Sequence, residues 1–365
     1  MKQKDQRKIA FFVTHHGFGH AARACAVMAA VREQDPNVLF EIYTTTPEWF
    51  FKNSMGNNFG YHRQVTDIGL LQTSPFHADL QLTLEKLRGF LPFDTQRIHD
   101  LSRAVLQSGC FLIICDIAPM GIAVAEAAGI PSLLIENFIW DWIYDGYQDV
   151  IPEVRTYSAY LADCFGRATY HIQTEPVCEY RPADLRVGPA SRKSRHSEKM
   201  IRGILEIQED APVILLTFGG VKNENDMISG LRRLKDVLFI ISDTGDGIRK
   251  EGNMIRIPHD ASIFHPDLIQ ACNAVVGKAG YSTIAEIYYA GKPFGYVTRS
   301  SFRESPVLER FIKRHMAGRS IEEAALCDGR WRDHIGELLS MSSKKPGHPN
   351  GADQIAAFIL SHIDV

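Results

Sequence analysis

The sequence has no long hydrophobic run. Its first apolar stretch, residues 9–13, is shorter than the core of a signal peptide and leads directly into histidine and glycine. No stretch approaches the roughly 20 consecutive apolar residues that a membrane-spanning helix needs. We therefore expect a cytoplasmic protein without a transmembrane segment.

Paired cysteines are also missing. The seven cysteines include no Cys-x-x-Cys pair, and two of them, Cys110 and Cys115, lie in an apolar run. Disulfide-stabilised and zinc-centred architectures are therefore disfavoured, and we expect reduced, mostly buried thiols.

An excess of charge of one sign is absent as well. The 40 basic and 43 acidic side chains give a formal net charge of −3, and no long basic block occurs. A short basic run at residues 192–195 is interpreted as a solvated linker. This balance disfavours a nucleic-acid-binding surface.

What the sequence does contain is a regular alternation of apolar runs and helical patterns. Strands are predicted at 9–14, 39–44, 111–116, 132–136 and 170–173, with helices at 20–32, 96–106, 118–128 and 152–165. Runs that are apolar on both faces and separated by helices predict a parallel sheet covered on each side.

The alternation breaks at residues 174–197, which contain three prolines, and then restarts. Further strands are predicted at 213–218, 237–242, 254–257, 274–277 and 294–298. With 365 residues, the chain is long enough for two domains. We predict an α/β protein with two doubly wound Rossmann-like domains, at 1–180 and 190–345, facing each other across a cleft. A C-terminal helix within 346–365 could pack on either domain.

A glycine-rich turn follows the first strand, where Gly17 and Gly19 precede a helix. Flexible residues there let a ligand approach the backbone, and a helix N-terminus favours negative charge. A dinucleotide site would have glycine, or sometimes alanine, where Ala22 stands, and an acidic residue ending the second strand. That strand ends in threonines at 44–46, so NAD binding is only a weak alternative.

Three histidines, His15, His16 and His20, lie close together on this turn. No carboxylate neighbours them in sequence, so a metal site is disfavoured. Packing of His15 or His16 against the wall of the cleft is an equally good interpretation. His20 is the stronger candidate for chemistry, since histidine titrates near neutral pH and can take a proton from a sugar hydroxyl.

Two more glycine turns follow strands in the second half. Gly219 and Gly220 follow its first strand, and Gly280 precedes a helix that opens with Ser282 and Thr283. The backbone N–H groups and dipole at that helix N-terminus are predicted to hold a diphosphate without a metal.

Glu286 lies about one turn into the same helix. Its carboxylate could accept both hydroxyl groups of a ribose, but Thr283-x-x-Glu286 also fits a helix capping box. Taken alone, the motif favours the capping interpretation, and the neighbouring glycine turns favour the ribose.

Four segments in chain order carry a family resemblance: VTHHGFGHA at 13–21, NFIWDWIY at 137–144, GKAGYST at 277–283 and FRESP at 302–306. The set resembles the glycosyltransferase-B superfamily, in particular MurG and the UDP-glycosyltransferases. It is more similar still to the glycosyltransferase-like N-terminal region of plant arabinokinases and their stand-alone bacterial relatives. This resemblance spans roughly residues 8–315 and does not include the sugar-kinase part of the plant enzymes.

The resemblance implies a role for each matched position. It assigns catalysis to His20 and Asp116. It assigns contacts in the acceptor cleft of the first domain to Gly17, Phe18, Gly19, Asn137, Trp140 and Asp141. It assigns donor binding in the second domain to Gly219, Gly220, Gly280, Tyr281, Ser282, Thr283, Glu286 and Glu304. For Asp116 and the Trp140-Asp141 pair, an equally good alternative is a packed aromatic residue with a helix-capping aspartate.

The function implied is transfer of a sugar from a nucleoside-diphosphate sugar, with UDP as the expected nucleotide, to a hydroxyl acceptor. No Asp-x-Asp occurs, so we expect neither a metal nor a cofactor. Two alternatives remain open: a nucleotide-sugar epimerase or hydrolase on the same fold, and a non-catalytic regulatory module that binds nucleotide sugars.

Overall fold

A computed structural model of the chain describes residues 7–74, 77–217, 228, 230–243, 247–258, 263–299 and 301–362. By its internal contacts the chain divides into two compact units. The first comprises the chain up to Thr73, Ala78–Ser191 and the chain from Pro349 onward. The second comprises Arg192–His348 together with the short segment Ser74–His77.

The strands of residues 7–191 are β1 (Arg7–Val13), β2 (Val38–Thr44), β3 (Gly60–Arg63), β4 (Gln72–Ser74), β5 (His77–Ala78), β6 (Cys110–Asp116), β7 (Ser132–Glu136), β8 (Tyr170–Thr174) and β9 (Leu185–Val187). Seven of them form a parallel sheet in the order β3-β2-β1-β6-β7-β8-β9, while β4 and β5 pair separately. Residues 9–13 of β1 are completely buried, as expected for a central strand of a sheet covered on both faces.

The helices of the same region are α1 (Phe18–Gln34), α2 (Glu48–Met55), α3 (Leu80–Phe90), α4 (Thr95–Gln107), α5 (Pro119–Ala128), α6 (Trp140–Asp145) and α7 (Val154–Gly166). Most of them connect one parallel strand to the next, which is the arrangement that parallel pairing requires.

The second unit contains β10 (Val213–Thr217), β11 (Leu238–Asp243), β12 (Arg249–Glu251), β13 (Met254–Pro258), β14 (Ala274–Lys278), β15 (Phe294–Val297) and β16 (Gly318–Ser320). They form one sheet in the order β12-β13-β11-β10-β14-β15-β16, in which only the edge strand β12 runs antiparallel to its neighbour. Its described helices are α8 (Glu198–Ile204), α9 (His265–Ala271), α10 (Tyr281–Ala290), α11 (Ser305–His315), α12 (Glu323–Cys327) and α13 (Ile335–Ser340).

Successive residues of β10 point into two different apolar clusters. Val213 and Leu215 belong to one cluster, whereas Ile214 and Leu216 belong to the other. Both faces of the second sheet are therefore covered, as in the first. The predicted α/β class with parallel sheets is confirmed.

The last helix, α14 (Gly351–His362), packs against α1 of the first unit, although it follows the second unit in sequence. Ala352, Ile355 and Ile359 are buried in the same apolar cluster as the inner face of α1. The helix starts where the Gly351 N–H donates to the carbonyl of Pro189 at 3.1 Å. This settles the alternative that the sequence left open.

The elements not predicted from the sequence are mostly short and half-polar. They include α2, α3 and α6 and the edge strands β3, β9, β12 and β16. An edge strand such as β16, with the sequence GRS, buries little apolar surface and has no clear pattern. None of the described helices combines the length and apolar character required to cross a membrane.

Candidate active site

In the first sheet, β1 lies between β2 and β6. The strands that follow β1 are added on one side of it as β2 and β3, and from β6 onward they are added on its other side. Ligands of doubly wound sheets bind at the carboxyl ends of strands at such a switch point. Here the end of β1 leads through Gly17 into α1, and β6 ends at Asp116. Gly17 has a φ of 80°, which glycine adopts without strain and which allows α1 to start directly after the turn.

His20 and Asp116 meet at this switch point. The His20 Nδ1 lies 2.9 Å from the Asp116 Oδ1, and the two residues are 7% and 0% exposed. Burial raises the pKa of Asp116, but the charges and hydrogen bonds of Arg23 and His20 outweigh burial and hold this pKa below its usual value. An ionised Asp116 accepts the proton on Nδ1, which leaves Nε2 of His20 as a proton acceptor.

Arg23 completes this cluster and was not singled out from the sequence. Its Nε donates to Asp116 Oδ2 at 2.7 Å and its Nη2 to Asp116 Oδ1 at 2.6 Å. Its Nη1 donates to Oδ1 of Asn137, whose Nδ2 donates in turn to the Thr174 Oγ1 at 2.8 Å. Arg23 follows His20 by three residues on α1, and this helical spacing is the signal that could have indicated it.

The other predicted cleft residues of the first unit differ in exposure. Phe18 is 41% exposed and stacks on Phe50 with ring centroids 5.0 Å apart. Trp140 and Asp141 are each 2% exposed. The Trp140 Nε1 donates to Asp67 at 2.9 Å. Their role in binding an acceptor stays a prediction.

The helix-capping alternative is wrong for Asp116. Asp116 bonds His20 and Arg23, while the N-cap of α5 is Ala118, without a side-chain capping bond. Asp141 is the second residue of α6 and pairs with Arg181 at 2.9 Å. Asp116 is therefore held by His20 and Arg23, while Asp141 pairs with Arg181 and also accepts backbone hydrogen bonds in the first turn of α6.

Two histidines of the turn after β1, His15 and His20, have a carboxylate nearby in space, although none neighbours them in sequence. Asp116 faces His20, and Asp67, from the loop after β3, places its Oδ1 3.5 Å from the Nδ1 of His15. Attraction to Asp67 outweighs burial and raises the pKa of His15. These carboxylates are distant in sequence, which is why the turn alone did not indicate them. Within the described residues, no group of three or more His, Cys, Asp and Glu side chains could hold a metal ion.

In the second unit, a cationic cluster lies where β14 and β15 end. Lys278 closes β14, and Arg299 follows β15, the strand paired with β14. Burial, reinforced by the charge of Arg299, lowers the pKa of Lys278 to about 8, against an opposing effect of Glu304. The Arg299 guanidinium donates to Glu304 at 2.5 Å and covers the ring of Phe302 at 3.6 Å. Glu304, predicted to contact the donor sugar, is 5% exposed, and that contact stays a prediction.

The N-terminus of α10 adjoins Lys278. The N-cap is Gly280, with no side-chain capping bond, and the first helical residues are Tyr281, Ser282 and Thr283. Since the first N–H groups of a helix have no partner within it, this end can receive an anion. Gly219 and Gly220, the other predicted phosphate-binding residues, lie outside the described residues.

Glu286 is buried and both of its carboxylate oxygens are engaged. Oε1 accepts from the Arg192 Nε at 2.8 Å, and Oε2 lies 2.9 Å from the His265 Nδ1. Burial raises the pKa of Glu286, but Arg192 and His265 outweigh it and lower this pKa below its usual value. The capping-box interpretation is wrong because Thr283 is the third residue of α10 rather than its N-cap.

The interpretation of residues 192–195 as a solvated linker is wrong for Arg192. Its side chain is only 9% exposed, since it pairs with Glu286 and its guanidinium lies 4.9 Å from the centre of the Phe264 ring. The partner of Arg192 is 94 residues away in sequence, so the basic run alone gave no sign of the pair.

Comparison with known proteins gives a sequence relative and many structural ones. No family model matches the chain. It is 26% identical over 362 residues to L-arabinokinase of Arabidopsis thaliana, covering 96% of this chain and 34% of that protein. The chain thus spans about a third of that relative's length.

Among solved structures, MurG of Acinetobacter baumannii has a TM-score of 0.58 at 16% identity, covering 97% of this chain and 99% of that one. Medicago truncatula UGT71G1, solved with UDP-glucose, has a TM-score of 0.58 at 14% identity, with 98% of both chains covered. The spinosyn forosaminyltransferase SpnP has a TM-score of 0.60 at 16% identity, covering 98% and 94%. The chain has the glycosyltransferase-B fold, as the motif resemblance implied.

Proposed function

We propose that the protein transfers a sugar from a nucleoside-diphosphate sugar, with UDP as the first nucleotide to test, to the hydroxyl group of an acceptor. The observation that carries the proposal is the buried His20–Asp116 pair at the switch point of the first sheet. The fold it shares with MurG and with a protein solved with UDP-glucose supports the choice of donor.

The chemistry proposed for the first unit is general base catalysis. The Nε2 of His20 takes the proton of the acceptor hydroxyl group while the oxygen of that hydroxyl group attacks the anomeric carbon of the donor sugar. The bond from that carbon to the diphosphate oxygen breaks, and its electron pair leaves with the diphosphate. Asp116 stabilises the imidazolium that forms, since the two side chains are in hydrogen-bonding contact.

The chemistry proposed for the second unit is stabilisation of the leaving diphosphate. Lys278, Arg299 and the N-terminus of α10 together provide positive charge at one edge of the second sheet. Charge fixed before the reaction stabilises the developing negative charge without reorganisation. These groups could perform this role without a metal ion, and we propose metal-independent binding.

The experiment combines binding and turnover on the full chain. A panel of nucleotide sugars is screened by thermal shift, in which a ligand at 100 times its Kd adds about 2.7 kcal/mol of stability. Release of nucleotide is then followed with and without a panel of hydroxyl acceptors, in buffer with and without a chelator. Release that depends on an acceptor and survives the chelator supports the proposal.

Three other outcomes would contradict it. Release of nucleotide without any acceptor would identify a hydrolase, and conversion of one nucleotide sugar into another would identify an epimerase. Binding without any turnover would identify a non-catalytic binding module.

A further inference from the structure

Arg23 is a buried charged residue that the mechanism above does not use. It is 5% exposed and lies one turn after His20 on α1. Two nitrogens of its guanidinium group, Nε and Nη2, donate to the two carboxylate oxygens of Asp116, a paired arrangement called a fork below. The Nη2 is also 3.4 Å from the His20 Nδ1. We propose that Arg23 is a positioning residue that fixes the orientation of Asp116 and thereby the tautomer in which His20 can accept a proton. The inference rests on the proposed role of His20 as the base.

The orientation of Asp116 follows from the geometry of the guanidinium. A planar fork that donates two parallel hydrogen bonds fixes a carboxylate more strictly than a single donor does. The Oδ1 of Asp116 therefore faces His20 in one position, with Arg23 Nη2 and His20 Nδ1 as its two partners. The proton of the imidazole is thereby directed to Nδ1, and the lone pair remains on Nε2.

Arg23 is itself held by a chain of hydrogen bonds across the sheet edge. Its Nη1 donates to Asn137, directly after β7, and Asn137 Nδ2 donates to the carbonyl and hydroxyl oxygens of Thr174 at 2.5 and 2.8 Å. These contacts connect the ends of β6, β7 and β8. Because all of the groups are buried, the guanidinium has little freedom to move away from Asp116.

The effect on pH follows from the charges next to the imidazole. Within the described part of the chain, the charged groups in contact with His20 are Asp116 on β6 and Arg23 on α1, and the ring of Phe138 meets it edge-on at 5.9 Å. An anion alone would favour the imidazolium, whereas a nearby cation disfavours it. Removal of Arg23 therefore leaves the charge of Asp116 beside the ring without its counter-charge, so a pH–rate profile reports whether the contact is lost.

The test compares Arg23→Met and Arg23→Lys with the unaltered chain. In Arg23→Met the cation is lost at similar side-chain length, so the acid limb of the pH–rate profile moves to higher pH by about one pH unit. The maximal rate also falls, because Asp116 is no longer oriented. Arg23→Lys keeps the charge but not the fork, so its rate falls while its acid limb moves less.

A matched control is available in the second unit. Arg202 is also a buried arginine, 4% exposed, and donates to the Ala271 carbonyl at 3.1 Å and to Asn273 at 3.0 Å. Arg202→Met should lower the melting temperature without moving the acid limb. An equal displacement of the limb in Arg202→Met and Arg23→Met would show a general effect of destabilisation and would overturn the inference.

A spectroscopic readout separates this inference from the proposed function. The imidazole nitrogen resonances of His20 report its tautomer and its titration whether or not the protein turns over a sugar donor. A His20 titration unchanged in Arg23→Met would overturn the role of Arg23 even if transfer is confirmed. A titration moved to higher pH supports it even if no transfer is found. Should Arg23→Met fail to fold, Arg23→Lys decides, because it keeps the charge without the paired hydrogen bonds: loss of the single Nδ1-protonated tautomer supports the inference, and an unchanged tautomer overturns it.

Discussion

Arg192, the first residue of the long segment of the second unit, donates a hydrogen bond from Nε to Oε1 of Glu286 at 2.8 Å. The residue that the family resemblance assigns to the ribose is therefore already paired with a cation. A nucleoside that binds Glu286 has to share the two carboxylate oxygens with Arg192 and His265 or displace one of these partners. Binding and local stability are thus coupled at this carboxylate.

Replacing Glu286 by glutamine tests that coupling. If Glu286 binds the ribose, the free energy of UDP binding becomes less favourable by about 1.5–3 kcal/mol at most, because a charged hydrogen-bond acceptor becomes a neutral one. The melting temperature falls as well, since Arg192 and His265 lose a buried anion. Calorimetric titration with UDP and a melting curve measure the two effects. Glu198→Gln is the control, since Glu198 is an exposed carboxylate that pairs with the buried Arg202. A lower melting temperature with an unchanged UDP Kd would show that Glu286 is structural only.

The affinity for a nucleoside diphosphate should fall as the pH rises through about 8. The pKa of Lys278 in the folded protein is about 8, below the ordinary lysine value, so its positive charge is lost in this range. Phosphate groups are already fully ionised there, since their second pKa is about 6. UDP affinity measured between pH 7 and pH 9.5 should decrease by up to about tenfold per pH unit above 8.

Two variants isolate Lys278. Lys278→Met should bind UDP more weakly and show little pH dependence in this range. The exposed Lys235, in the same unit, provides the control variant Lys235→Met. A pH dependence that persists unchanged in Lys278→Met would assign it to another group.

Replacing His20 by alanine should separate chemistry from binding. Turnover should fall by about 10²–10⁴-fold, the range typical for loss of a positioned proton acceptor, while UDP affinity stays nearly unchanged. Steady-state kinetics and calorimetric titration measure these quantities. His16→Ala, on the same turn, is a matched control, because His16 contacts Gln72 and Trp140, whereas His20 contacts Asp116. Loss of donor affinity together with rate in His20→Ala would indicate a binding or structural role.

Gly351→Ala should destabilise the junction between α14 and the first unit. A Cβ at Gly351 would lie 2.1 Å from the Gly188 carbonyl oxygen and 2.9 Å from that of Pro189, and backbone cannot move away easily. Overpacking of this kind costs about 1–3 kcal/mol, which a lower melting temperature would report. Gly336→Ala is the control, since a Cβ there meets nothing within 4 Å. Equal melting temperatures for the two variants would contradict the close approach.

The sequence predicted the central strands but not the contacts between distant residues that result from the order of these strands in the sheet. His20 and Asp116 were both identified, but their contact depends on β6 lying next to β1, and strand order cannot be deduced from a separation of 96 residues. Arg192 was misinterpreted for the same reason, because its partner is on a distant helix. Only Arg23, three residues from His20 on one helix, could have been found from local periodicity.

The return of α14 to the first unit has a consequence for synthesis on the ribosome. The face of α1 that α14 covers is synthesised before residues 192–348 of the second unit, whereas Ile355 and Ile359 are synthesised only after them. Throughout that interval the nascent chain presents an uncovered apolar surface. The second unit, in contrast, can bury its two apolar clusters from nearly contiguous sequence. Order of completion is therefore the reverse of order of synthesis: the unit that is made first is finished last.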